Sequence, residues 1–405
     1  MIEEKSKMSR KDKKKNKAFS AVLFIVICGS IGFLIGFLSD IYLKDFMDGN
    51  LRNDSAVFNF FKIYGFLLIF IVGYLVHIVI HEAGHLIFGL MTGYSFVSFR
   101  IGSFTIVKED GKLKYKRYNI PGTAGQCLMM PPELKDGKYP FIIYNFGGVI
   151  MNLIISIVGI LVVIFVEGVS FPFNAILVLS GLSGMFAVLT NGIPMRIGGI
   201  ANDAYNVLSM LKDEEARRGF YLQLRVNGLQ SQGIRIKDMS LEMLKLKEGA
   251  DFSNPLNTSI GLMEYSWYLD NMDLESARKC INSFVPYLDR VIPLYRYEIN
   301  CERIFLELVG NCDKTFIDDL YDKDLKKYIK AARFMISKKR LLMAYEGYYN
   351  KDKVKVLKYY KDIKQLAEKY PVKGDAEMEL MLSDWVNEEL NLGLYKDDIL
   401  VSNLK

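Results

Sequence analysis

Four long apolar stretches lie in the first half of the chain, and they restrict the folds open to it more than any other feature. They cover residues 19–38, 63–91, 139–166 and 173–194. An α-helix rises about 1.5 Å per residue, so roughly 20 residues cross the hydrocarbon core of a bilayer. The sequence therefore predicts a mainly α-helical, polytopic membrane protein with about four transmembrane helices.

Lysines and arginines indicate how these helices are oriented. Residues 1–18 hold eight of them against three acidic residues, and the loop 95–138 holds eight more, whereas 167–172 holds none. The positive-inside rule predicts a basic cytoplasmic tail, an uncleaved first anchor, and a multi-pass cell-membrane protein with both termini in the cytoplasm. Beyond the tail the chain is nearly neutral, which argues for contact with the lipid bilayer and against a nucleic-acid partner.

The basic loop has the pattern of β-strands. Residues 96–107 and 112–120 favour strands, with a Glu-Asp-Gly turn at 109–111 between them. We expect a small membrane-associated β-hairpin over 96–120, which either adds an extended substrate as a further strand or is a simple connector. The apolar, glycine-containing stretch 122–132 is typical of a segment that dips back into the bilayer.

The second half of the chain has mixed charge and helical periodicity, with no apolar run long enough to span a bilayer. Turn-like segments recur about every 40 residues, at 269–273, 309–313 and 349–352. This repeat favours a soluble helical domain, either of stacked tetratricopeptide-like hairpins or a plain helical bundle. The predicted domains are a basic tail (1–18), a membrane domain (19–210) and a cytoplasmic helical-repeat domain (212–405).

All three histidines of the chain, His77, His81 and His85, lie in the second apolar stretch at four-residue steps. His81 to His85 reads H-E-x-x-H, which on a helix places two imidazoles on one face to bind zinc, while Glu82 reaches a metal-bound water. Tyrosines aside, these four are the only ionisable residues of 63–91. Ionisable groups inside a membrane indicate function; the alternative is a polar cluster that stabilises helix contacts.

A catalytic zinc ion usually has a third protein ligand. His77 does not suit this role, because His77 and His85 are about 12 Å apart along a straight helix; we expect it to orient another group or to pack helices. Asp203 is the first carboxylate after Glu167 and follows the fourth apolar stretch, so it is the better candidate. Its alternative role is to cap the helix that follows.

Three motifs of the chain resemble those of the site-2 protease family of intramembrane metalloproteases. The first is H-E-x-x-H, the second is the glycine-containing segment 146–152 that ends at Asn152, and the third is Asn191-x-x-Pro194 followed by Asp203. One detail departs from the familiar pattern. Asp203 comes nine positions after Pro194 and is followed by Ala204, where the family usually has an earlier aspartate and a glycine.

The resemblance implies one zinc ion per chain held by His81, His85 and Asp203, with Glu82 as general base and Asn152 as oxyanion donor. It also implies an intramembrane zinc endopeptidase that cleaves a transmembrane or membrane-associated peptide, in regulated proteolysis or in signal-peptide or pheromone processing. The helical C-terminal domain would bind a regulatory protein. The rival function is a catalytically inactive membrane scaffold whose helical repeats bind a partner protein.

Overall fold

The computed structural model describes residues 56–109, 111–118, 123–197 and 200–390, together with Gly29. The predicted tail (1–18) and, except for Gly29, the first predicted span (19–38) lie outside these residues. The described chain is mainly helical with a small antiparallel sheet. It divides into two compact units: one combines the residues up to Thr92 with Pro140–Leu208, and the other combines Gly93–Tyr139 with the residues from Ser209 onward.

Three long helices build the first unit: α1 (Ala56–Met91), α2 (Phe141–Phe165) and α3 (Phe173–Gly192). All three are long and apolar enough to cross a membrane, α1 over Ile63–Met91, and they match three of the predicted spans. α2 begins two residues later than predicted, after Pro140, and α3 ends two residues earlier than predicted, before Pro194. Proline lacks an N–H and disfavours helical geometry in the residue before it. These helices point to a membrane protein, and many side chains on the outer face of α1 are apolar and exposed.

Small residues let the three helices approach closely. A Cβ atom on Gly84 of α1 would stand 2.3 Å from the carbonyl oxygen of Gly147 on α2. A Cβ atom on Gly73 of α1 would stand 2.8 Å from Ser183 Oγ on α3. Helices in lipid gain stability from such close packing, and here it brings the histidine face of α1 against both neighbours.

Four strands form the sheet, in the order β3-β2-β1-β4, and they are β1 (Ser95–Ile101), β2 (Phe104–Glu109), β3 (Lys112–Arg117) and β4 (Gly125–Met130). The predicted single strand 96–107 is wrong: a turn at Gly102, with φ of 57°, divides it into β1 and β2. The prediction that 122–132 re-enters the bilayer is also wrong, because its backbone pairs as β4 along β1.

The sheet belongs to the second unit, whereas the sequence-based division placed 96–120 with the membrane helices. Contacts with the C-terminal helices explain this. The ring of Tyr118 lies 5.3 Å from that of Tyr370, and Glu109 on β2 pairs with Lys373 at 3.6 Å. Distant parts of the sequence supply these partners, so local patterns gave no sign of them.

The second unit is otherwise helical. Its helices are α4 (Asp203–Lys212, shared with the first unit), α5 (Glu214–Ser231), α6 (Leu241–Leu244), α7 (Pro255–Asp270), α8 (Leu274–Asn282), α9 (Pro293–Leu308), α10 (Lys314–Leu320), α11 (Lys323–Ala331), α12 (Ile336–Ala344), α13 (Lys353–Lys369) and α14 (Lys373–Glu389). A short two-stranded hairpin of the first unit, β5 (Arg196–Ile197) and β6 (Ile200–Ala201), precedes α4. A π-helical turn, Tyr345–Asn350, extends α12.

The three predicted turns all lie between helices and end in the same way. In each, a residue with positive φ precedes an aspartate whose carboxylate accepts a hydrogen bond from an N–H of the following helix. The pairs are Met272 and Asp273, Cys312 and Asp313, and Lys351 and Asp352. The regular spacing of these turns between helices therefore recurs in the structure, while the tetratricopeptide interpretation stays a prediction.

Charged side chains lie inside the apolar core of the second unit. Arg340 is 1% exposed and donates hydrogen bonds to Glu379 at 2.6 Å and to Glu302 at 2.9 Å. Its guanidinium also stands 3.8 Å from the centre of the Phe305 ring. Buried charges need such partners, because an unpaired one is strongly destabilising.

Candidate functional site

Helix α1 carries the H-E-x-x-H motif, and the histidines of this motif are buried within the protein. His77, His81 and His85 follow one another at intervals of about one turn, so they share one face of the helix. They are 1%, 8% and 8% exposed. This face meets α2 and α3, which explains why polar groups on an apolar helix are held away from its exposed side.

Asp203, the first residue of α4, meets two of these histidines. His81 Nε2 lies 3.0 Å from Asp203 Oδ2, His85 Nε2 lies 3.5 Å from the same oxygen, and the two Nε2 atoms are 3.1 Å apart. The structure thus gathers the three predicted metal ligands, with their ligand atoms within 4.8 Å of one another.

The donor set fits a zinc ion. Ligand atoms about 2.0–2.1 Å from a tetrahedral zinc ion are about 3.3 Å apart, close to the three measured separations. The buried Oδ2 atom of Asp203 also has no hydrogen-bond partner of suitable geometry among the described residues. Two imidazole nitrogens that face an unsatisfied carboxylate oxygen can share a divalent cation.

Asn202 holds Asp203 in place, and sequence reasoning gave it no role. Its Nδ2 donates to the carbonyl oxygens of Thr190 at 2.7 Å and Ile193 at 2.6 Å. Its Oδ1 accepts from the backbone N–H of Met195 at 3.1 Å and of Tyr205 at 2.9 Å. Asn202 is therefore the N-cap of α4, and the alternative that Asp203 caps this helix is wrong.

The nine-residue spacing between Pro194 and Asp203 has a simple origin. The β5–β6 hairpin occupies the interval, and the N–H of Asn202 donates to the Met195 carbonyl at 3.1 Å, which closes the excursion. The chain thus returns almost to the end of α3 before α4 begins. An asparagine just before a helix start is a recognisable capping signal, and it is the clue by which Asn202 can be found in the sequence.

Glycines on α2 and α3 make room for the imidazoles. A Cβ atom on Gly148 of α2 would stand 2.5 Å from Cε1 and Nδ1 of His81. A Cβ atom on Gly184 of α3 would stand 2.3 Å from Cε1 of His77. Each ring therefore lies directly against the backbone of a neighbouring helix, which a side chain at either position would prevent.

Asn152 is fully buried between two of the histidines. His77 Nδ1 lies 3.0 Å from Asn152 Oδ1, and His81 Nδ1 lies 3.4 Å from Asn152 Nδ2. The outer nitrogen of the other ligand histidine, His85 Nδ1, lies 2.8 Å from the carbonyl oxygen of Tyr144. Every imidazole of the cluster thus has a hydrogen-bonding partner on α2.

The remaining predicted residues take up different positions. Glu82 is half-buried on α1, next to His81 in the sequence. Asn191 donates to the Ala187 carbonyl at 3.1 Å within its own helix, and Pro194 is exposed just after α3 ends. The Asn191–Pro194 element therefore ends a helix and leads to the hairpin, whereas Asn202 and Asp203 reach the site.

Apolar helices that enclose an H-E-x-x-H motif and an aspartate define a class, the membrane proteins with a metallopeptidase type of centre. The model of Peptidase family M50 matches residues 69–366. This chain belongs to peptidase family M50, the site-2 protease family, whose members are zinc metalloproteases. The match confirms the resemblance seen in the motifs. Comparisons with curated proteins and with solved structures gave no significant match.

Proposed function

We propose that this chain is an intramembrane zinc endopeptidase that cleaves a transmembrane or membrane-associated protein or peptide. The observation that carries the proposal is the convergence of His81 Nε2, His85 Nε2 and Asp203 Oδ2 within 4.8 Å. Membership of family M50 supports a metallopeptidase. The apolar character of α1, α2 and α3 supports a bilayer as the site of cleavage.

His81, His85 and Asp203 would hold one zinc ion per chain. Zinc, when bound, lowers the pKa of a water molecule to about 7 and polarises a peptide carbonyl. Glu82, one residue from His81, would accept a proton from the attacking water and return it to the leaving amine. The negative charge of Asp203 offsets part of the metal charge, which neutral imidazoles do not.

The substrate must present an extended peptide segment, because the peptide bonds of a membrane helix are already hydrogen-bonded and shielded. An outer strand of the sheet would hold this segment by backbone hydrogen bonds. β3 is such a strand, and five of its six residues are exposed. We also propose a multi-pass protein with both termini in the cytoplasm, and a regulatory protein as the partner of the C-terminal helices.

Metal analysis combined with a cleavage assay tests this function. The wild type, Glu82→Gln and Asp203→Asn are purified, reconstituted in liposomes and supplied with a library of membrane peptides. We expect one zinc ion per chain in the wild type and in Glu82→Gln, with cleavage by the wild type alone. Glu167→Gln, at an exposed carboxylate after α2, is the control and should behave as wild type.

Undiminished cleavage by zinc-loaded Glu82→Gln would overturn the proposed mechanism. Full zinc occupancy in Asp203→Asn would assign the third ligand to another residue. A zinc-loaded wild type that cleaves none of the peptides would favour the rival function, a scaffold whose helices bind a partner protein.

A further inference from the structure

His77 and Asn152 are buried polar residues that the proposed reaction does not use. They are 1% and 0% exposed, and their side chains contact each other in the interior of the three apolar helices. Buried polar groups are costly unless each hydrogen bond is made. The directions of these hydrogen bonds determine which nitrogen of His81 carries a proton.

His85 illustrates the principle in its simplest form. Its Nδ1 faces the carbonyl oxygen of Tyr144 at 2.8 Å, and a carbonyl only accepts hydrogen bonds. His85 therefore carries its proton on Nδ1. The lone pair of Nε2 is then directed at Asp203 and His81, as a metal ligand requires.

A second backbone carbonyl fixes the proton of His77. The backbone carbonyl of Ser180, inside α3, is the acceptor that faces the ring N–H of His77, since the N–H of Ser180 is engaged in the helix. The same carbonyl also accepts the Ser183 hydroxyl at 2.7 Å. A neutral imidazole has one N–H, and His77 is too deeply buried to carry a charge at low cost. With that N–H given to Ser180, His77 Nδ1 must accept a hydrogen bond from Asn152.

The amide of Asn152 passes this direction on to His81. The amide nitrogen of Asn152 must face His77, so its oxygen faces His81 Nδ1. That oxygen accepts a hydrogen bond from an N–H at His81 Nδ1. The lone pair of His81 Nε2 is then free to bind a metal. The orientation in the structure is the reverse, with Oδ1 at 3.0 Å from His77 and Nδ2 at 3.4 Å from His81. That orientation would move the proton of His81 to Nε2 and block it as a ligand; a half-turn of the amide, whose two ends are nearly equal in size, removes the conflict.

We infer that the Ser180 carbonyl, His77 and Asn152 form a relay that fixes His81 in the tautomer able to bind zinc. Asn152 is then a positioning residue, and the role of oxyanion donor passes to another group. The inference rests on the proposed zinc centre, and it explains the third histidine one turn before the motif.

Two substitutions of Asn152 separate an acceptor from a donor. Asn152→Leu removes the acceptor with little change of volume, and we expect zinc affinity to fall about 10- to 100-fold. Asn152→Asp keeps an acceptor oxygen for His81 Nδ1 and, when protonated, offers an O–H to His77 Nδ1, so it should hold His81 in the same tautomer and keep zinc affinity within about threefold. Affinity is measured by competition with a chromogenic chelator in detergent.

A double substitution tests the direction of the relay. His77→Leu leaves the amide of Asn152 free to turn either way, and we expect zinc affinity to fall about 10-fold. In the Asn152→Asp background the same change should have little effect, because a carboxylate needs no partner to orient it. Asn145→Leu is the matched control, since Asn145 is buried on the same helix and its amide donates within that helix, to the Phe141 carbonyl at 2.7 Å.

Unchanged zinc affinity in Asn152→Leu would overturn the relay, as would an equal loss in Asn152→Asp. Normal zinc affinity with cleavage reduced about 100-fold in Asn152→Asp would also overturn it, and would assign Asn152 to the oxyanion instead. Thermal unfolding of the zinc-free proteins verifies that each variant is folded. If the wild type binds no zinc, the proposed function fails; if it binds zinc and cleaves while Asn152→Leu keeps its affinity, the relay alone fails.

Discussion

Gly148→Ala is the smallest change that should impair the site without replacing a ligand. The added Cβ atom would stand 2.5 Å from Cε1 and Nδ1 of His81 and 2.6 Å from its Nε2. Non-bonded carbon contacts are about 3.5–4.0 Å, so the imidazole must retreat by about 1 Å. Asp203 Oδ2 already lies 3.0 Å from His81 Nε2 and limits where the ring can go.

Such a displacement has a predictable size of effect. Overpacking of this kind costs about 1–3 kcal/mol of folding stability. A shift of about 1 Å in a group that positions the reaction lowers the rate about 100-fold. We therefore expect Gly148→Ala to fold, to bind zinc more weakly, and to cleave a membrane peptide with kcat/KM about 100-fold below that of the wild type.

Gly159→Ala is the matched control on the same helix. Its Cβ atom would meet the Leu177 carbonyl oxygen at 3.6 Å, an ordinary contact. Both variants are compared with the wild type in zinc affinity, in thermal unfolding and in cleavage rate at saturating zinc. Wild-type kcat/KM and zinc affinity in Gly148→Ala would refute the close packing of His81 on α2.

Three other outcomes follow from single contacts. Asn202→Ala removes the cap of α4 at a cost of about 1 kcal/mol and should weaken zinc binding about 10-fold in chelator competition; Asn191→Ala, whose amide bonds within its own helix, should not, and equal losses would contradict the role of Asn202. Arg340→Met leaves Glu379 without its ion-pair partner in the core and removes one hydrogen bond from Glu302, and it should lower the free energy of unfolding by about 3–5 kcal/mol in chemical denaturation, whereas Lys279→Met at an exposed pair should leave it unchanged. Burial, followed by the charge of Glu379, raises the pKa of Asp375 to about 7, so the folded chain keeps a proton that the unfolded chain loses near pH 4. This group's contribution to stability should decline as the pH rises from about 4 to about 7, and Asp375→Asn should remove that part of the slope; an identical slope in the variant would contradict it.

The membrane helices were predictable because their signal is local. A run of about 20 apolar residues is best accommodated as a helix that crosses the bilayer. The apolar parts of α1, α2 and α3 therefore lie within about two residues of the spans that the hydropathy predicts. The sheet was only partly predictable. Gly102 divides one predicted strand into two. β4 is apolar enough to be mistaken for a membrane segment, and its pairing with β1 cannot be read locally because β1 begins 30 residues earlier.

The site was predictable to the extent that its chemistry is written in neighbouring residues. His81, Glu82 and His85 form a motif within one helical turn, and Asp203 follows from the shortage of carboxylates in the membrane region. The contacts of Asn202 and the Ser180–His77–Asn152 chain depend on how three helices and a hairpin pack. No spacing in the sequence encodes the direction of a hydrogen bond.

X-ray absorption at the zinc edge tests most directly whether His81, His85 and Asp203 hold one zinc ion. The purified wild type should contain one zinc ion with two imidazole nitrogens at about 2.0–2.1 Å and oxygen ligands at about 2.0–2.2 Å. Loss of zinc in a His81→Ala, His85→Ala variant would complete the assignment. A sulfur shell at about 2.3 Å, three imidazoles, or full zinc content in that variant would contradict it.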